Sequence, residues 1–219
     1  MPKYKLVCFD VDGTLVDNVV YSWELFHEYF EVDMKKRKEM RDKYYNGEID
    51  YLQWAQHDIG MWIKKGATKK DFFKAMKNLK LMNGAIETIN ELKKNGMKLA
   101  IISGSLNVIL EKALPNYKEL FDDVFLSHLI FDNDGKLVDA KVTQYDMIQK
   151  AAALRKIAQR EKIYLKETVH IGDHHNDVEI AKIAGLSIAF DCKDEELRKL
   201  ANVVIDRKDL RETLRYILQ

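Results

Sequence analysis

The sequence contains little cysteine and little proline, with two residues of each among 219. One disulfide between Cys8 and Cys192 is formally possible, but neither their spacing nor their context suggests it, and so few cysteines are typical of a reducing compartment. No apolar run approaches the roughly 20 residues that cross a bilayer. The apolar residues before Asp10 are too few for a signal peptide. These absences predict an ordered, cytoplasmic protein.

The sequence also lacks an excess of charge of either sign. It has 36 lysines and arginines against 35 aspartates and glutamates, which gives a formal net charge of +1. This balance gives no reason to expect a nucleic acid or an anionic membrane as a partner. We therefore predict neither of these partners, and the sequence leaves open whether the chain is a monomer or a homodimer.

Short apolar runs, rich in β-branched and aromatic residues, alternate with amphipathic stretches. The runs span residues 6–9, 99–102, 124–126, 169–171, 187–190 and 203–205. Runs that are apolar on both faces are typical of strands covered by helices on each side. Ala85, Ile89 and Leu92 recur at helical spacing, and similar patterns around Leu154 and Ile180 predict two more helices. This alternation predicts an α/β fold with a doubly wound parallel sheet.

Residues 19–80 interrupt the alternation, because they contain all three tryptophans and no convincing strand. Their helix-like stretches span residues 21–31, 50–64 and 69–80. We predict that the aromatic residues pack a small helical domain above the carboxyl ends of the strands, where open α/β sheets bind ligands. The predicted division is a helical cap domain of residues 19–80 and a core domain of residues 1–18 and 81–219.

Two carboxylates stand beside a glycine turn at the end of the first predicted strand. The segment is Asp10-Val11-Asp12-Gly13-Thr14. Burying carboxylates at the end of a strand costs free energy unless a cation lies beside them. For this segment alone, a solvated turn is the simpler interpretation, because Asp-Gly is a common turn dipeptide.

A second predicted strand, residues 99–102, leads into Ser103, Gly104 and Ser105. A hydroxyl and free backbone N–H groups at the start of a helix make a site for a phosphate oxygen. Ser105 is also expected to cap that helix, which is the plainer role for a serine at this place.

A third predicted strand, residues 169–171, leads into a Gly-Asp-His-His-Asn-Asp turn that contains Asp173 and ends at Asp177. The two aspartates would join the first pair at the same edge of the sheet. His174 and His175 raise the alternative of zinc, but adjacent histidines do not easily bind one metal and no cysteine is near. We favour a hard cation with oxygen ligands, which is magnesium where phosphate is the co-ligand.

Four motifs in this order resemble those of the haloacid dehalogenase-like superfamily: Asp-x-Asp-x-Thr, a strand-end Ser or Thr, a Lys, and Gly-Asp-x-x-x-Asp. Here they begin at Asp10, Ser103, Lys150 and Gly172. The chain most resembles the phosphoserine phosphatase-like branch, which has a helical cap after the first strand and a hairpin like the one that an Asn-Asp-Gly turn predicts in residues 129–138. The similarity spans nearly the whole chain and implies a Rossmann-like core.

The resemblance implies a magnesium-dependent phosphomonoesterase that acts on a small phosphorylated metabolite through an aspartyl-phosphate intermediate. Asp10 would be the nucleophile, a role that requires a cation beside it. Asp12 would protonate the leaving oxygen and then accept a proton from water. Ser103 and Lys150 would hold the phosphate oxygens in the transition state.

The resemblance implies two further sets of site residues. The magnesium site would consist of Asp10, Asp12, Asp173 and Asp177. The phosphate and the substrate would be bound by Gly13, Thr14, Ser103, Gly104, Lys150 and Asn176. Asp12 would contribute its backbone carbonyl, and Asp177 would be a ligand or an anchor for the others. Lys150 is preferred to Lys141 and Lys156 because its distance from the Gly-Asp motif is that of the phosphoserine phosphatases.

The cap departs from the pattern of phosphoserine phosphatases. Those enzymes bind the amine and the carboxylate of their substrate with a glutamate and a cap arginine, and here the corresponding positions hold Val19 and Asp58. No arginine occurs between Arg41 and Arg155. Because Asp58 would repel a substrate carboxylate, we predict that phosphoserine is a poor substrate. Polar residues in or near the cap are expected to face solvent, namely Asp17, Asn18, His27, His57 and Asp58.

Other functions stay open on the same scaffold. A phosphoserine phosphatase proper or a phosphomutase would use the same core residues, and a degenerate phosphate-binding protein would keep the fold without catalysis. A dehalogenase needs no metal and lacks the second aspartate, so Asp12 and Asp173 argue against it. A response-regulator receiver domain has a similar acidic cluster and a lysine, but it is much shorter and has no cap.

Overall fold

The computed structural model describes residues 3–145 and 149–219, which form a central sheet with helices on both faces. The strands are β1 (Leu6–Phe9), β2 (Val16–Asp17), β3 (Lys80–Leu81), β4 (Lys98–Leu106), β5 (Asp123–Phe131), β6 (Leu137–Lys141), β7 (Thr168–Gly172), β8 (Leu186–Phe190) and β9 (Val203–Ile205). The α-helices are α1 (Ser22–Tyr29), α2 (Met34–Tyr45), α3 (Tyr51–Lys64), α4 (Lys69–Ala75), α5 (Ala85–Lys94), α6 (Asn107–Ala113), α7 (Tyr117–Leu120), α8 (Lys150–Glu161), α9 (Val178–Ala181), α10 (Glu195–Leu200) and α11 (Leu214–Ile217). Short 3-10 helices span Leu165–Glu167, His175–Asp177 and Leu210–Thr213. Within the described ranges, no helix has the length and apolar character that crossing a membrane requires.

The main sheet has the strand order β6-β5-β4-β1-β7-β8-β9. Neighbouring strands pair in parallel, except that β5 and β6 form an antiparallel hairpin. The strands β2 and β3 pair with each other in a small antiparallel sheet. The predicted doubly wound sheet is therefore confirmed, and so is the hairpin predicted from the Asn-Asp-Gly turn.

The central strand β1 is buried on both of its faces. Val7 and Phe9 belong to one hydrophobic cluster, which includes Ile89 of α5, whereas Leu6 belongs to another, which includes Leu154 of α8. Successive side chains of a strand point to opposite faces of the sheet. A strand with helices on both sides must therefore be apolar at every position, as the sequence of β1 is.

The helices α1 to α4 follow β2 and are joined by aromatic side chains. The ring of Phe26 in α1 lies 4.7 Å from that of Phe72 in α4 and 5.9 Å from that of Trp62 in α3, measured between centroids. Trp23 lies 5.3 Å from Trp62. This is the aromatic bundle predicted for the segment. The helix α2 was not predicted, because it has no buried residue and therefore no apolar period.

Two local predictions are wrong. The strand β4 continues to Leu106, so Ser105 lies inside the strand and does not cap the following helix. The Ser105 hydroxyl donates instead to Asp12, in the turn after β1, and this long-range hydrogen bond replaces the predicted helix cap. The helix predicted for residues 69–80 is also shorter, since α4 ends at Ala75 and the chain then turns into β3.

Gly185, between α9 and β8, packs directly against backbone, and this contact gives a stability prediction. A Cβ at Gly185 would lie 2.1 Å from the carbonyl oxygen of Lys166. We expect Gly185→Ala to lower the free energy of unfolding by about 1–3 kcal/mol, because backbone must shift to relieve the overlap. Equilibrium unfolding in urea measures the change.

Gly60→Ala is the matched control, since Gly60 lies inside α3 and nothing lies within 4 Å of its added Cβ. This substitution should leave the stability unchanged or raise it by about 0.5–1 kcal/mol through helix propensity. A Gly185→Ala protein as stable as the parent would contradict the close approach.

Candidate active site

The turns that carry the motifs lie side by side because β4, β1 and β7 are neighbours in the sheet. Asp10 directly follows β1, Asp173 directly follows β7, and Ser103 lies near the end of β4. All three side chains are buried. Parallel strands present their carboxyl ends at one edge of a sheet, so the fold brings these distant segments together.

Lys150, at the start of α8, is buried between two carboxylates. Its Nζ lies 3.0 Å from Asp10 Oδ1 and 2.7 Å from Asp177 Oδ1, and its side chain is 1% exposed. Burial alone would lower the pKa of Lys150, but the two carboxylates raise it, so the side chain remains an ammonium. Lys141 and Lys156, the alternatives considered from the sequence, are exposed.

Asp177 is satisfied by protein groups at both of its oxygens. Oδ1 accepts from Lys150 and lies 3.0 Å from His170 Nε2, and Oδ2 accepts from the backbone N–H groups of Asp173 (3.0 Å) and His174 (3.2 Å). Burial alone would raise the pKa of Asp177, but the charge of Lys150 and the contact with His170 lower it. The carboxylate of Asp177 therefore holds the turn after β7 in place.

Asp173 has a buried oxygen without a hydrogen-bond partner among the described residues. Its Oδ1 accepts from Thr14 Oγ1 at 3.4 Å, whereas Oδ2 lies 3.6 Å from Lys193 Nζ and accepts no hydrogen bond. Gly13 permits this arrangement, since a Cβ there would lie 2.3 Å from Asp173 Oδ2 and the backbone has a φ of 74°. Burial and the nearby charge of Asp10 raise the pKa of Asp173 well above its ordinary value.

The carboxylates at this edge outnumber the buried cations. One oxygen from each of Asp10, Asp173 and Asp177 lies within 4.8 Å of the others, and the buried Asp12 is close by, against the single buried ammonium of Lys150. Burial raises the pKa of Asp10 as well, in spite of the nearby lysine. A group of buried carboxylate oxygens fits a hard divalent cation. The adjacent histidines of the turn do not belong to this group in the part of the chain that the structure describes.

Asp12 is held between α1 and β4. Its Oδ2 accepts from the backbone N–H of Ser22 at 2.7 Å, and its Oδ1 accepts from Ser105 Oγ at 2.7 Å. Burial raises the pKa of Asp12 to about 6 in spite of these hydrogen bonds. A carboxyl group whose pKa lies near neutrality can both give and accept a proton.

A cavity of about 250 Å³, open to solvent, lies above Asp10. It is lined by Asp10, Asp12, Val20, Tyr21, Ser103, Gly104, Ser105, Asp173, His174 and Asn176. Gly13 and Thr14, predicted to bind phosphate, are absent from this lining. Their backbone N–H groups donate inside the turn, to the carbonyls of Val16 (3.0 Å) and Val11 (3.2 Å).

The chain segment that enters α1 contacts the core at the rim of the cavity. Tyr21 Oη lies 2.6 Å from His174 Nδ1, and Trp23 Nε1 donates to the carbonyl of Gly104 at 3.1 Å. His174 Nδ1 also accepts from the backbone N–H of His175, so the tyrosine hydroxyl is the donor to this nitrogen. His174 therefore borders the cavity.

The prediction that the polar cap residues face solvent is wrong for Asp17, His27 and Asp58, which are buried. Asp17 pairs with Lys80 and Lys208. Asp58 Oδ2 lies 3.1 Å from His27 Nε2 and 3.6 Å from Arg37 Nε, and Trp62 Nε1 donates to His27 Nδ1 at 3.1 Å. The paired arginine and the histidine hydrogen bond offset the cost of burying this carboxylate.

Several residues at the site were not identified from the sequence. They are Tyr21, Ser22, Trp23, Ser105 and His170. Aromatic and hydroxyl side chains beside apolar residues are indistinguishable in sequence from ordinary core and cap residues. His170 had a usable signal, because it is the one ionisable residue inside an otherwise apolar strand.

Comparisons with known proteins agree with this geometry. Residues 4–185 match the family model described as haloacid dehalogenase-like hydrolase. The phosphoserine phosphatase of Methanocaldococcus jannaschii is 35% identical over 219 residues, and the alignment covers 98% of each protein.

Two solved structures are similar over nearly their whole length. A phospho-aspartyl intermediate analogue of phosphoserine phosphatase has a TM-score of 0.75 and 33% identity, covering 98% of this chain and 99% of that one. A substrate-bound phosphoserine phosphatase complex has a TM-score of 0.76 and 32% identity, covering 99% of this chain and all of that one. The resemblance to the phosphoserine phosphatase-like branch is thereby confirmed, and the chain belongs to the haloacid dehalogenase-like hydrolases.

Proposed function

We propose that the chain is a magnesium-dependent phosphatase in which Asp10 attacks the phosphorus of a small phosphorylated metabolite. The placement of Asp10 carries this proposal: a buried carboxylate lines an open cavity, with Lys150 Nζ 3.0 Å from its Oδ1. A carboxylate and a phosphate monoester repel each other, so attack requires positive charge beside the nucleophile. Lys150 supplies part of that charge.

The phosphate oxygens would be held by Ser103 and Lys150. Ser103 Oγ accepts from the backbone N–H of Ser105 at 3.1 Å, and its hydroxyl, whose hydrogen bond to Asp10 lowers the pKa of that carboxyl group, would turn to donate to a phosphate oxygen. Gly104 and Asn176 line the same cavity and offer further donors from the backbone and from the side-chain amide.

Asp12 would move the protons. As Asp10 bonds to phosphorus, the bond from phosphorus to the leaving oxygen breaks, and Asp12 gives its proton to that oxygen. In the second step Asp12 takes a proton from the water that attacks the aspartyl-phosphate, which releases inorganic phosphate and restores Asp10. The pKa of Asp12, raised by burial to about 6, is compatible with both transfers.

Magnesium would be bound by side-chain oxygens of Asp10 and Asp173 and by the backbone carbonyl of Asp12. The fit is supported by the unpartnered Oδ2 of Asp173 and by the surplus of buried carboxylates. The bound cation would neutralise charge on the phosphate and on the nucleophile. Asp177 would serve as the anchor of the turn, because both of its oxygens already accept hydrogen bonds.

Gly13 and Thr14 would support the metal site. Gly13 leaves the space that Asp173 occupies, and the Thr14 hydroxyl donates to the other oxygen of the same carboxylate. We therefore assign these two residues to the positioning of Asp173, in place of the phosphate contact inferred from the motif.

Residues 19–80 would act as a cap over a core of residues 1–18 and 81–219. The support is that Tyr21 and Trp23 contact the core at the rim of the cavity, while the helices behind them pack on one another. Such a cap would limit the size of the leaving group and exclude bulk water from the aspartyl-phosphate.

The leaving group would differ from serine, although the relatives described above are phosphoserine phosphatases. Above Asp10 the cavity is lined by Val20 and Tyr21, and the carboxylates that line it all belong to the proposed catalytic and metal-binding set. A substrate ammonium would thus lack a carboxylate of its own. Arg37, the arginine nearest to Asp58, already pairs with Asp58 (3.6 Å) and Glu24 (3.5 Å).

The proposed location is the cytoplasm, and the cysteines support it. Cys8 and Cys192 are both free thiols and both buried. Burial raises the pKa of the Cys8 thiol, which makes it unreactive. Unpaired cysteines are typical of reducing compartments.

Replacing the proposed nucleophile should stop the reaction without unfolding the protein. We expect Asp10→Asn to lower turnover of nitrophenyl phosphate by at least about 1,000-fold. The fold should persist because Lys150 keeps its contact with Asp177. Release of nitrophenol measures activity, and thermal unfolding measures stability. Asp134→Asn, at an exposed hairpin turn, is the control and should be fully active. Retention of activity within about tenfold, roughly 1.4 kcal/mol in barrier, would rule out Asp10 as the nucleophile.

Metal removal should stop turnover, and only a small hard cation should restore it. After treatment with EDTA and dialysis, we expect magnesium to restore activity and calcium to restore little, since calcium accepts more ligands at longer distances. Magnesium should also raise the melting temperature of the protein, and Asp173→Asn should abolish this rise. Full activity after chelation would refute the metal requirement, and rescue by zinc alone would point to His174 and His175.

L-phosphoserine should be a poorer substrate than phosphomonoesters without a carboxylate. The cavity offers no free carboxylate for the ammonium, and Arg37 is already paired. We expect kcat/KM to be lower for L-phosphoserine by about 30-fold or more, the factor that corresponds to about 2 kcal/mol from one missing charged partner. Steady-state phosphate release measures both values. A clear preference for L-phosphoserine would show that Arg37 leaves its partners to bind the substrate carboxylate.

A further inference from the structure

A groove leads from the cavity above Asp10 into the cap helices. It has a volume of about 800 Å³, open solvent included, and it shares Tyr21 and Asn176 with the cavity. Farther along, it adjoins a pocket between α1, α2 and α3 of about 270 Å³, open solvent included. We name this pocket the Trp54 cleft, and its lining residues are Trp23, Arg37, Tyr51, Trp54, Ala55 and Asp58. The cavity, the groove and the Trp54 cleft therefore adjoin one another, and the leaving group of a phosphoester bound at Asp10 would extend towards the Trp54 cleft.

Two tryptophans form walls of the Trp54 cleft. Trp23 is fixed by its hydrogen bond to the Gly104 carbonyl and by its contact with Trp62. Trp54 is 8% exposed, and its ring lies 5.3 Å from that of Tyr44. The Nε1–H of Trp54 has no acceptor among the described residues. A buried donor without an acceptor carries a desolvation cost that a ligand oxygen would remove.

The charges in the cleft cancel. Arg37 has a side chain that is 15% exposed, and it lies between Glu24 and Asp58. Its Nε is 3.6 Å from Asp58 Oδ2, too far for a hydrogen bond, and has no acceptor among the described residues. Among the residues that line the cleft, the charges of Arg37 and Asp58 oppose each other, so neither a substrate carboxylate nor a substrate ammonium meets an unopposed opposite charge there.

Asp58 is held in a fixed orientation with acceptor capacity to spare. Trp62 donates to Nδ1 of His27, so the proton of this ring is on Nε2, which donates to Asp58 at 3.1 Å. Burial lowers the pKa of His27, which keeps the ring neutral. His57 contacts the other oxygen only at 3.4 Å. A carboxylate can accept about four hydrogen bonds, so Asp58 can accept further donors.

We propose that the Trp54 cleft binds an uncharged, hydroxylated leaving group, so that the substrate is a polyol phosphate or a sugar phosphate. This rests on the phosphatase function proposed above. A hydroxyl group both donates and accepts, which matches free donors on Trp54 and Arg37 beside spare acceptors on Asp58. The tryptophan rings offer flat apolar surfaces to the C–H faces of such a molecule, and pockets of this kind combine apolar walls with a few placed polar groups.

A substrate panel tests the proposal with magnesium present. The hydroxylated substrates are glycerol phosphate, ribose phosphate and glucose phosphate, as terminal monoesters. The comparison substrates are ethyl phosphate, phosphoethanolamine and L-phosphoserine. We expect at least one hydroxylated substrate to exceed all three comparison substrates in kcat/KM by about tenfold or more, since several hydrogen bonds contribute.

Two substitutions connect this preference to the cleft. Trp54→Phe keeps an aromatic ring and removes the donor, so kcat/KM for the preferred substrate should fall about three- to tenfold, the loss expected for one neutral hydrogen bond. Arg37→Lys keeps the positive charge beside Asp58 and removes the planar guanidinium with its several N–H donors. It should lower kcat/KM for the preferred substrate about tenfold or more. Neither change should alter kcat/KM for ethyl phosphate by more than about twofold. Lys43→Met, on an exposed part of α2 outside the cleft, is the matched control and should change neither.

The outcomes separate this proposal from the phosphatase function. If no phosphomonoester of the panel nor nitrophenyl phosphate is hydrolysed, the proposed function itself fails. If nitrophenyl phosphate is hydrolysed but ethyl phosphate or a charged substrate is preferred, the proposal for the cleft is overturned. An equal effect of Trp54→Phe on hydroxylated substrates and on ethyl phosphate would also overturn it, because the side chain would then act through the fold alone.

Discussion

The ammonium of Lys150 lies between Asp10 and Asp177, 3.0 Å from one carboxylate and 2.7 Å from the other, and all three side chains are almost completely buried. This contact joins the end of β1, the start of α8 and the turn after β7. Removing one member of a buried charge cluster leaves the others uncompensated, which costs far more than the loss of a surface pair. The contact therefore fixes the relative positions of the three segments at the catalytic edge. The position of Asp10, the nucleophile of the proposed mechanism, follows from it.

The same edge carries more negative charge than Lys150 can offset, and the backbone is shaped to allow this crowding. A Cβ at Gly13 or Gly172 would lie 2.3 Å from an atom of the Asp173 or Asp177 carboxyl group, respectively. Glycine is therefore required at these two positions, because the carboxylates approach the backbone too closely to leave room for a Cβ. Crowded, desolvated carboxylates resist ionisation, which is why the pKa of Asp173 is raised. A bound cation would relieve that resistance.

The core of the fold was predictable because its determinants are local in sequence. A strand between two layers of helices must be apolar at each position, and residues 6–9 satisfy this rule in four consecutive letters. The polar ends of such strands then meet by topology alone, so Asp10, Ser103 and Asp173 could be placed together in advance. The helix α2 could not be predicted in this way, since its residues are polar and none is buried. Ser105 was misplaced because Ser-Gly-Ser is compatible both with a helix start and with a continued strand.

The cap residues were harder to predict because their environment depends on contacts between helices. Spacing along one helix identifies an apolar face, but it does not show that His27 of α1, Arg37 of α2 and Asp58 of α3 converge. A charged residue without a known partner is expected to face solvent. Asp58 is buried because His27 and Arg37, on two other helices, lie beside it. The burial of Asp58 therefore follows from contacts between helices, which the comparison with phosphoserine phosphatases does not reveal.

Asp12, the general acid of the proposed mechanism, also connects the start of α1 with β4. Asp12 accepts from the backbone N–H of Ser22 in the cap segment and from the Ser105 hydroxyl in β4. The hydrogen bond from Ser22 stabilises the ionised form of Asp12, so the position of the start of α1 sets part of the proton affinity of this carboxyl group. The rim contacts of Tyr21 and Trp23 hold the same segment, so the residues that close the cavity also set the environment of the proton donor. In the proposed mechanism, enclosure of the substrate and protonation of its leaving oxygen would thereby be linked through three consecutive residues, 21–23.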